Sequence, residues 1–311
     1  MRAIVAAALA NLGIATAKFA GFIVTGSSSM LAESIHSLAD TANQGLLVFG
    51  GKRAARPATA QHPFGYGRDR YFWAFVVAMV LFSAGGAFAV YEGIEKLRSP
   101  HEISSPEVAI IILAVAVVLE LFSLRTAVRA ARPERGTRSW AAYVRRSKSP
   151  ELPVVLLEDL GALIGLVLAL VGVTLAAATG EPRWDGAGTL SIGVLLVLIA
   201  VVLAAEMKSL LIGESATDED QRAIRAAIEA GPPVRGLIHM RTLHLGPEEL
   251  LVAAKIELDP GLSAAGFGAA IDTVEARIRA AVPIARVIYL EPDQRRPAGE
   301  PTPAAPPAAS S

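Results

Sequence analysis

The chain has 311 residues, no net charge and no cysteine; 53% of its residues are hydrophobic and 19% charged, and the mean hydropathy is +0.47. A soluble domain of this size carries less apolar and more charged material, so the composition indicates a membrane protein. The lack of cysteine excludes disulfides, thiolate metal sites and a cysteine nucleophile, and leaves any metal to His, Asp, Glu or Asn.

A helix crosses a bilayer with about 20 mainly apolar residues. Stretches meeting that length run over 3–24, 30–50, 71–94, 108–128, 152–178 and 188–211, which predicts six transmembrane helices. The connection 51–70 carries Lys52, Arg53, Arg56, Arg68 and Arg70. The connection 125–149 carries Arg125, Arg129, Arg132, Arg135, Arg138, Arg145, Arg146 and Lys148. The opposite connections are short and poor in such residues, so the positive-inside rule expects the basic loops and both termini in the cytoplasm. The first stretch follows Arg2 but contains Asn11 and Lys18 and ends at Thr25-Gly26-Ser27-Ser28. It is read as a first span rather than a signal peptide.

Ionisable groups inside such stretches are costly, by roughly 2.5 to 3.5 kcal/mol for Asp on insertion scales, and are kept for function. His36 and Asp40 lie one helical turn apart in the second stretch and project from one face, a spacing that can hold one divalent cation. Glu33 and Asn43 fall near the same face at i−3 from His36 and i+3 from Asp40. Glu158 and Asp159 open the fifth stretch. Lys18, Glu120 and Asp185 are the other ionisable groups near membrane depth, with Glu120 a candidate proton relay or partner of Lys18. Small residues at four-residue spacing, Gly13/Ala17/Gly21 and Gly161/Gly165, suit close helix packing.

From Gly213 the composition becomes that of a small soluble domain. Thr217 with Asp220 caps a helix running to about Ala230. The branched-residue runs 234–245 and 249–258 flank Gly246-Pro247 as a hairpin. Ser263 opens a helix to about Ala281, and 284–290 reads as a third strand. The order αββαβ predicts a ferredoxin-like α+β domain. The expected domains are 1–212 for transport, 213–293 for a cytoplasmic dimerisation domain, and a Pro/Ala/Ser-rich tail, 294–311, without the apolar content to fold.

Two strings point further: Ser27-Ser28-Ser29-Met30-Leu31-Ala32-Glu33-Ser34-Ile35-His36-Ser37-Leu38-Ala39-Asp40-Thr41-Ala42-Asn43-Gln44, and His62-Pro63-Phe64-Gly65-Tyr66-Gly67-Arg68. With them the chain resembles the cation diffusion facilitator family of divalent-metal/proton antiporters. The segments Val155-Leu156-Leu157-Glu158-Asp159-Leu160-Gly161-Ala162-Leu163 and Ser209-Leu210-Leu211-Ile212-Gly213-Glu214 look most like the branch containing the animal mitochondrial zinc transporter and many bacterial relatives.

The resemblance implies a transported ion held between spans two and five by a His/Asp-x-x-x-Asp pair from each. Span two supplies His36 and Asp40. Span five supplies Asp159, but Val155 stands where the other ligand is expected. A water, Glu158 or Asn43 is left to complete the set. Glu158 is about 100° around the helix from Asp159, so it reaches the ion only if the helix is rotated or unwound. In the soluble domain, the places where relatives hold a metal cluster carry Ile238, Ala254 and Tyr289, with Glu291 remaining. His239 and His244, five apart on a strand, point to opposite faces. That domain is therefore expected to dimerise without a metal cluster.

The expected activity is efflux of a divalent cation, foremost Zn²⁺, from the cytoplasm of a homodimer in exchange for protons, the cation being substrate and no cofactor being needed. Metal binding displaces protons from imidazole and carboxylate, which couples the two fluxes. No nucleic acid is expected as a partner; membrane lipid is. An enzyme is not expected, because a metallohydrolase would need a string such as H-E-x-x-H, which does not occur. The alternative is a non-transporting membrane metal sensor or scaffold of the same fold. The Ala-rich, short-looped chain without an Arg- and Ser-rich leader points to a bacterial inner membrane rather than a mitochondrion.

Overall fold

The computed structural model describes residues 2–294, with side chains from Leu12 onward. The chain divides at Gly213/Glu214 into two compact units. The expected unfolded tail lies outside the described residues except for Gln294.

The first unit contains helices α1 (Arg2–Thr25), α2 (Ser28–Ala54), α3 (Asp69–Val80), α4 (Phe88–Arg98), α5 (Pro106–Arg135), α6 (Trp140–Arg146), α7 (Glu151–Thr179) and α8 (Arg183–Ile212). Between α3 and α4 the helix continues through a π-helical stretch, Leu81–Ala87, so Asp69–Arg98 forms one continuous apolar segment. Six long helical segments thus stand where six spans were expected. Four of them, Asp69–Arg98, Pro106–Arg135, Glu151–Thr179 and Arg183–Ile212, are long and apolar enough on their own to cross a membrane. The described apolar part of α1, Leu12–Thr25, is shorter. Helix α2 is diluted by Glu33, His36, Asp40 and Asn43, all facing inward or partly so.

Local sequence sets the helix ends. Ser27 caps α2 by accepting from the Met30 N–H, and Pro106 sits at the start of α5, where a missing N–H costs nothing. Helix α7 stops at Gly180, whose φ of 71° is the left-handed conformation glycine adopts without strain. The loop expected from Arg125 onward is mostly helix: α5 runs on to Arg135, and α6 follows, capped by the Ser139 hydroxyl. The sequence of α5 has no breaker before Pro133, so the apolar stretch propagates into its basic end.

Helix α2 packs on α1, α3, α7 and the π stretch, α7 on α5 and α8, and α8 on α4. Met30, Tyr71, Leu81, Leu113, Leu166 and Ile192 are fully buried where these elements meet. On the perimeter, large apolar side chains such as Ile111, Phe122 and Leu198 are exposed, the outward apolar surface of a protein whose surroundings are hydrocarbon.

The second unit has the order α9 (Asp218–Glu229), β1 (Val234–Gly246), β2 (Glu249–Leu258), α10 (Ala264–Ala281) and β3 (Val287–Pro292). The sheet is mixed, in the order β1-β2-β3, with β1 antiparallel and β3 parallel to the central β2. Every second residue of β2, Leu250 through Leu258, is buried, and Ile224, Ile228, Val274 and Ile278 of the two helices complete that core. Thr217 caps α9, accepting from the Asp220 N–H at 3.1 Å and donating to the Asp220 carboxylate at 2.7 Å. The third strand begins three residues later than expected. Pro283 follows the helix, Ala285 N–H bonds back to Val282, and the chain is still turning at Ile284.

Candidate metal centre

His36 and Asp40 lie on the inner face of α2. The imidazole is fully buried, its Nε2 3.6 Å from Asp40 Oδ2. Neither ring nitrogen of His36 has a hydrogen-bond partner, nor does Asp40 Oδ1. Buried polar atoms are nearly always paired, so three without a partner on one helical turn set this spot apart from the rest of the bundle. The ring lies beside the π stretch, where the position of a Cβ on Gly85 falls 3.7 Å from His36 Nδ1.

Across from α2, α7 presents Glu158 and Asp159 near its start. Asn43 of α2 donates from Nδ2 to Glu158 Oε1 at 2.7 Å, while Ser123 of α5 donates to Asp159 Oδ2 at 2.9 Å. Helix α7 is regular here, and its adjacent carboxylates reach different neighbours, Glu158 toward α2 and Asp159 toward α5. Both nevertheless border one pocket of about 20 Å³, together with Asp40, Gln44, Glu120, Ser123 and Val155. That volume admits one water-sized species. Val155 gives the pocket an apolar wall where a fourth ligand was sought. His36 stands behind Asp40, outside the lining. In this conformation no three His, Asp or Glu side chains among the described residues converge closely enough to grip a metal ion. Glu120, for which the sequence offers a relay role or a pairing with Lys18, lies on α5 one turn before Ser123 and borders the pocket.

The family model for the cation efflux transmembrane domain matches residues 4–212, and that for the cation efflux protein cytoplasmic domain matches 216–293. The chain belongs to the cation efflux family. It is 33% identical over 244 residues to the proton-coupled zinc antiporter SLC30A9, mitochondrial, of Homo sapiens, an alignment covering 78% of this chain and 43% of that protein. Metal tolerance protein C4 of Arabidopsis thaliana is 26% identical over 260 residues, 83% of this chain and 57% of that one. The cation-efflux pump FieF of Pectobacterium atrosepticum is 26% identical over 269 residues, 85% and 83%. The chain therefore spans less than half the length of the SLC30A9 relatives it matches.

Two further charged groups shape the transmembrane unit of this cation efflux protein, a multi-pass membrane protein. Lys18 of α1 does not pair with Glu120. Its ammonium donates to Glu33 Oε2 at 3.1 Å and to Ser37 Oγ at 2.8 Å, all three being buried. Lys18 is buried inside the bundle, where a carboxylate one turn before His36 satisfies it. Asp185, at the start of α8, accepts from Ser27 Oγ and the Ser28 N–H at 2.9 Å each and from the Ser29 N–H at 3.3 Å. A carboxylate there meets the free N–H groups and positive end of α2. Ser28 also donates to Glu92 of α4 at 3.1 Å. The outer turn of α2 is thereby fastened to α4 and α8, about 18 Å along the helix from Asp40 at 1.5 Å per residue.

In the second unit His239 is exposed and accepts from Arg241 Nε, whereas His244 is buried with Nδ1 3.3 Å from the Gly246 carbonyl. Glu291 and Asp293 both accept from the Lys255 ammonium at 3.0 Å.

Proposed function

We propose that this cation efflux protein is a homodimeric secondary transporter that carries a divalent cation, foremost Zn²⁺, out of the cytoplasm in exchange for protons. The observation that carries the reading is that Asp40, Glu120, Glu158 and Asp159 all border one small pocket between α2, α5 and α7, with His36 one turn behind. So many carboxyl groups around so small a space hold either protons or a cation between them, which is the physical requirement for exchanging one for the other. His36, Asp40 and Asp159 are assigned as ligands. A water or Glu158 completes the set where Val155 offers no donor, and Asn43 orients Glu158 through its amide. Imidazole with carboxylates suits Zn²⁺, Co²⁺ or Fe²⁺ better than Mn²⁺, which prefers an all-oxygen shell.

Two of its relatives, a proton-coupled zinc antiporter and a cation-efflux pump, support the substrate and the coupling. The basic connections around Arg53 and Arg135 support a cytoplasmic side for those loops and for both termini. The bacterial pump supports an inner-membrane location. No catalytic role is assigned, and the second unit serves dimerisation rather than metal capture, since Ile238, Ala254 and Tyr289 offer no good ligands.

The test is metal uptake into sealed proteoliposomes under an imposed pH gradient, with Zn²⁺, Co²⁺, Fe²⁺ and Mn²⁺ compared for the native chain, Asp40→Ala and Asp159→Ala. Gradient-driven flux abolished by both substitutions is expected. Loss with Asp40→Ala alone removes Asp159 from the site, and binding without flux for every ion replaces the transporter by a membrane metal sensor.

A further inference from the structure

Behind the face of α7 that carries Glu158 and Asp159 lies a second cavity, of about 470 Å³. Its walls include Leu124 of α5, Leu156 and Leu160 of α7 and Val202 of α8, while Trp140 and Arg145 of α6 border one end. Arg145 is the one charged side chain in that lining among the described residues. The volume falls within the range of small-molecule sites, but the lining lacks the scattered polar groups that orient a polar ligand. It offers a greasy slot with a cation at its mouth.

The mouth is basic beyond Arg145. The Arg135 guanidinium lies 4.5 Å from the Trp140 ring centre, and its buried Nε has no hydrogen-bond partner. Arg146 and Lys148 follow on the same connection. The nearby acids are engaged: Glu134 accepts from the Tyr143 hydroxyl at 3.0 Å, and Glu151 pairs with Arg70. The α7 part of the lining, Leu156 to Leu160, begins about 8 Å along that helix from its start at Glu151, so the slot opens close to the basic connection and continues among apolar side chains. A tryptophan at its mouth suits the headgroup level, where that ring concentrates.

We propose that this cleft binds one anionic glycerophospholipid, with an acyl chain between α5, α7 and α8 and the phosphate beside Arg145 and Arg135. Charge complementarity selects the occupant: a zwitterionic lipid fills the slot equally well but gives the basic mouth no net charge to meet, whereas each basic side chain at a membrane surface favours anionic lipid about fivefold. Leu156 and Leu160 touch the acyl chain from the same two helical turns that hold Glu158 and Asp159, so occupancy braces the segment of α7 that borders the carboxylate pocket. The proposal requires only that this unit sits in a bilayer and is independent of the transported ion.

The test uses the full chain with Trp73→Phe and Trp184→Phe, which leaves Trp140 alone of the three tryptophans. It is reconstituted into phosphatidylcholine vesicles containing equal fractions of either acyl-brominated phosphatidylglycerol or acyl-brominated phosphatidylcholine, and Trp140 fluorescence is read. Stronger quenching by the glycerol lipid is expected, with an apparent preference of about fivefold or more that falls in Arg145→Gln. A salt series on the chain with Arg145 intact is the second measurement and should weaken the same preference. Equal quenching by the two lipids overturns the proposal, as does a preference that neither salt nor Arg145→Gln alters. Absence of quenching by either lipid overturns it too, by showing that protein fills the cleft.

Discussion

Replacing Lys18 by Met leaves the Glu33 carboxylate fully buried without the ammonium that donates to it. Lys18 and Glu33 are 3.1 Å apart with side-chain exposures of 2% and 0%, and Glu33 Oε1 already lacks a partner. Removing one member of such a pair costs about 3–5 kcal/mol, because the survivor stays charged in a poorly polarisable interior. Replacing both by apolar residues of similar volume, Lys18→Met with Glu33→Leu, is neutral or stabilising on the same physics. At roughly 2–4 °C per kcal/mol, the single substitution should lower the unfolding midpoint in detergent by about 10 °C and the double should recover most of it. Near-ultraviolet circular dichroism on heating provides the readout. A single variant that melts with the native chain, or a double no better than the single, refutes the claim that the two charges neutralise each other inside the bundle.

Asp185→Ala removes the acceptor for Ser27 and for two backbone N–H groups; charged hydrogen bonds contribute about 1.5–3 kcal/mol each before compensation, so a loss of about 3 kcal/mol is expected in the same melt, with Asp185→Asn recovering part of it. Gly165→Ala places a Cβ 2.6 Å from Glu33 Oε1; relieving that overlap strains the Lys18 pair and should cost about 1–3 kcal/mol, a cost that disappears when Glu33 is already Ala. Burial, and then the neighbouring Glu134 that accepts from its hydroxyl, push the Tyr143 phenol above its ordinary range. Because the folded-state value is the higher one, this contribution to stability is present below about pH 10, the unfolded value, and is lost as pH rises through the folded value. Difference spectroscopy of tyrosine ionisation should show one phenol titrating late, and earlier in Glu134→Gln.

Much of this architecture could be read from residue order because the forces that set it are local or periodic. The apolar stretches needed only a length criterion, and Thr217 and Ser263 mark helix starts by chemistry confined to one turn. His36 and Asp40 stood out because a titratable pair in an apolar run is expensive. What escaped is what depends on partners distant in sequence. Lys18 had several possible counter-charges, and only the packing of α1 on α2 selects Glu33 over Glu120. Nothing near Asp185 announces that it fastens the start of α2. The separate destinations of Glu158 and Asp159 follow from where α2 and α5 lie relative to α7, which a helical wheel cannot provide. The third strand was set too early because Ile284 is as strand-prone as its neighbours, and the turn after Pro283 overrides that preference.

The π-helical stretch Leu81–Ala87 has a consequence for where this chain can change in length. A π turn holds one residue more than the α turn it replaces, so deleting one residue there can restore an ordinary helix with the flanking turns in place, whereas deleting one from a regular helix turns everything beyond it by about 100°. A deletion just after the stretch, between Phe88 and Tyr91, would take Gly93 from its close contact with Leu190 and turn Glu92 away from Ser28. A one-residue deletion should therefore be absorbed within these seven positions, most of whose side chains are small and carry no charge, and rejected in the regular turns beside them. The wide turn packs against two other helices, α2 and α8, so it takes part in setting the distance between them and is not a local irregularity.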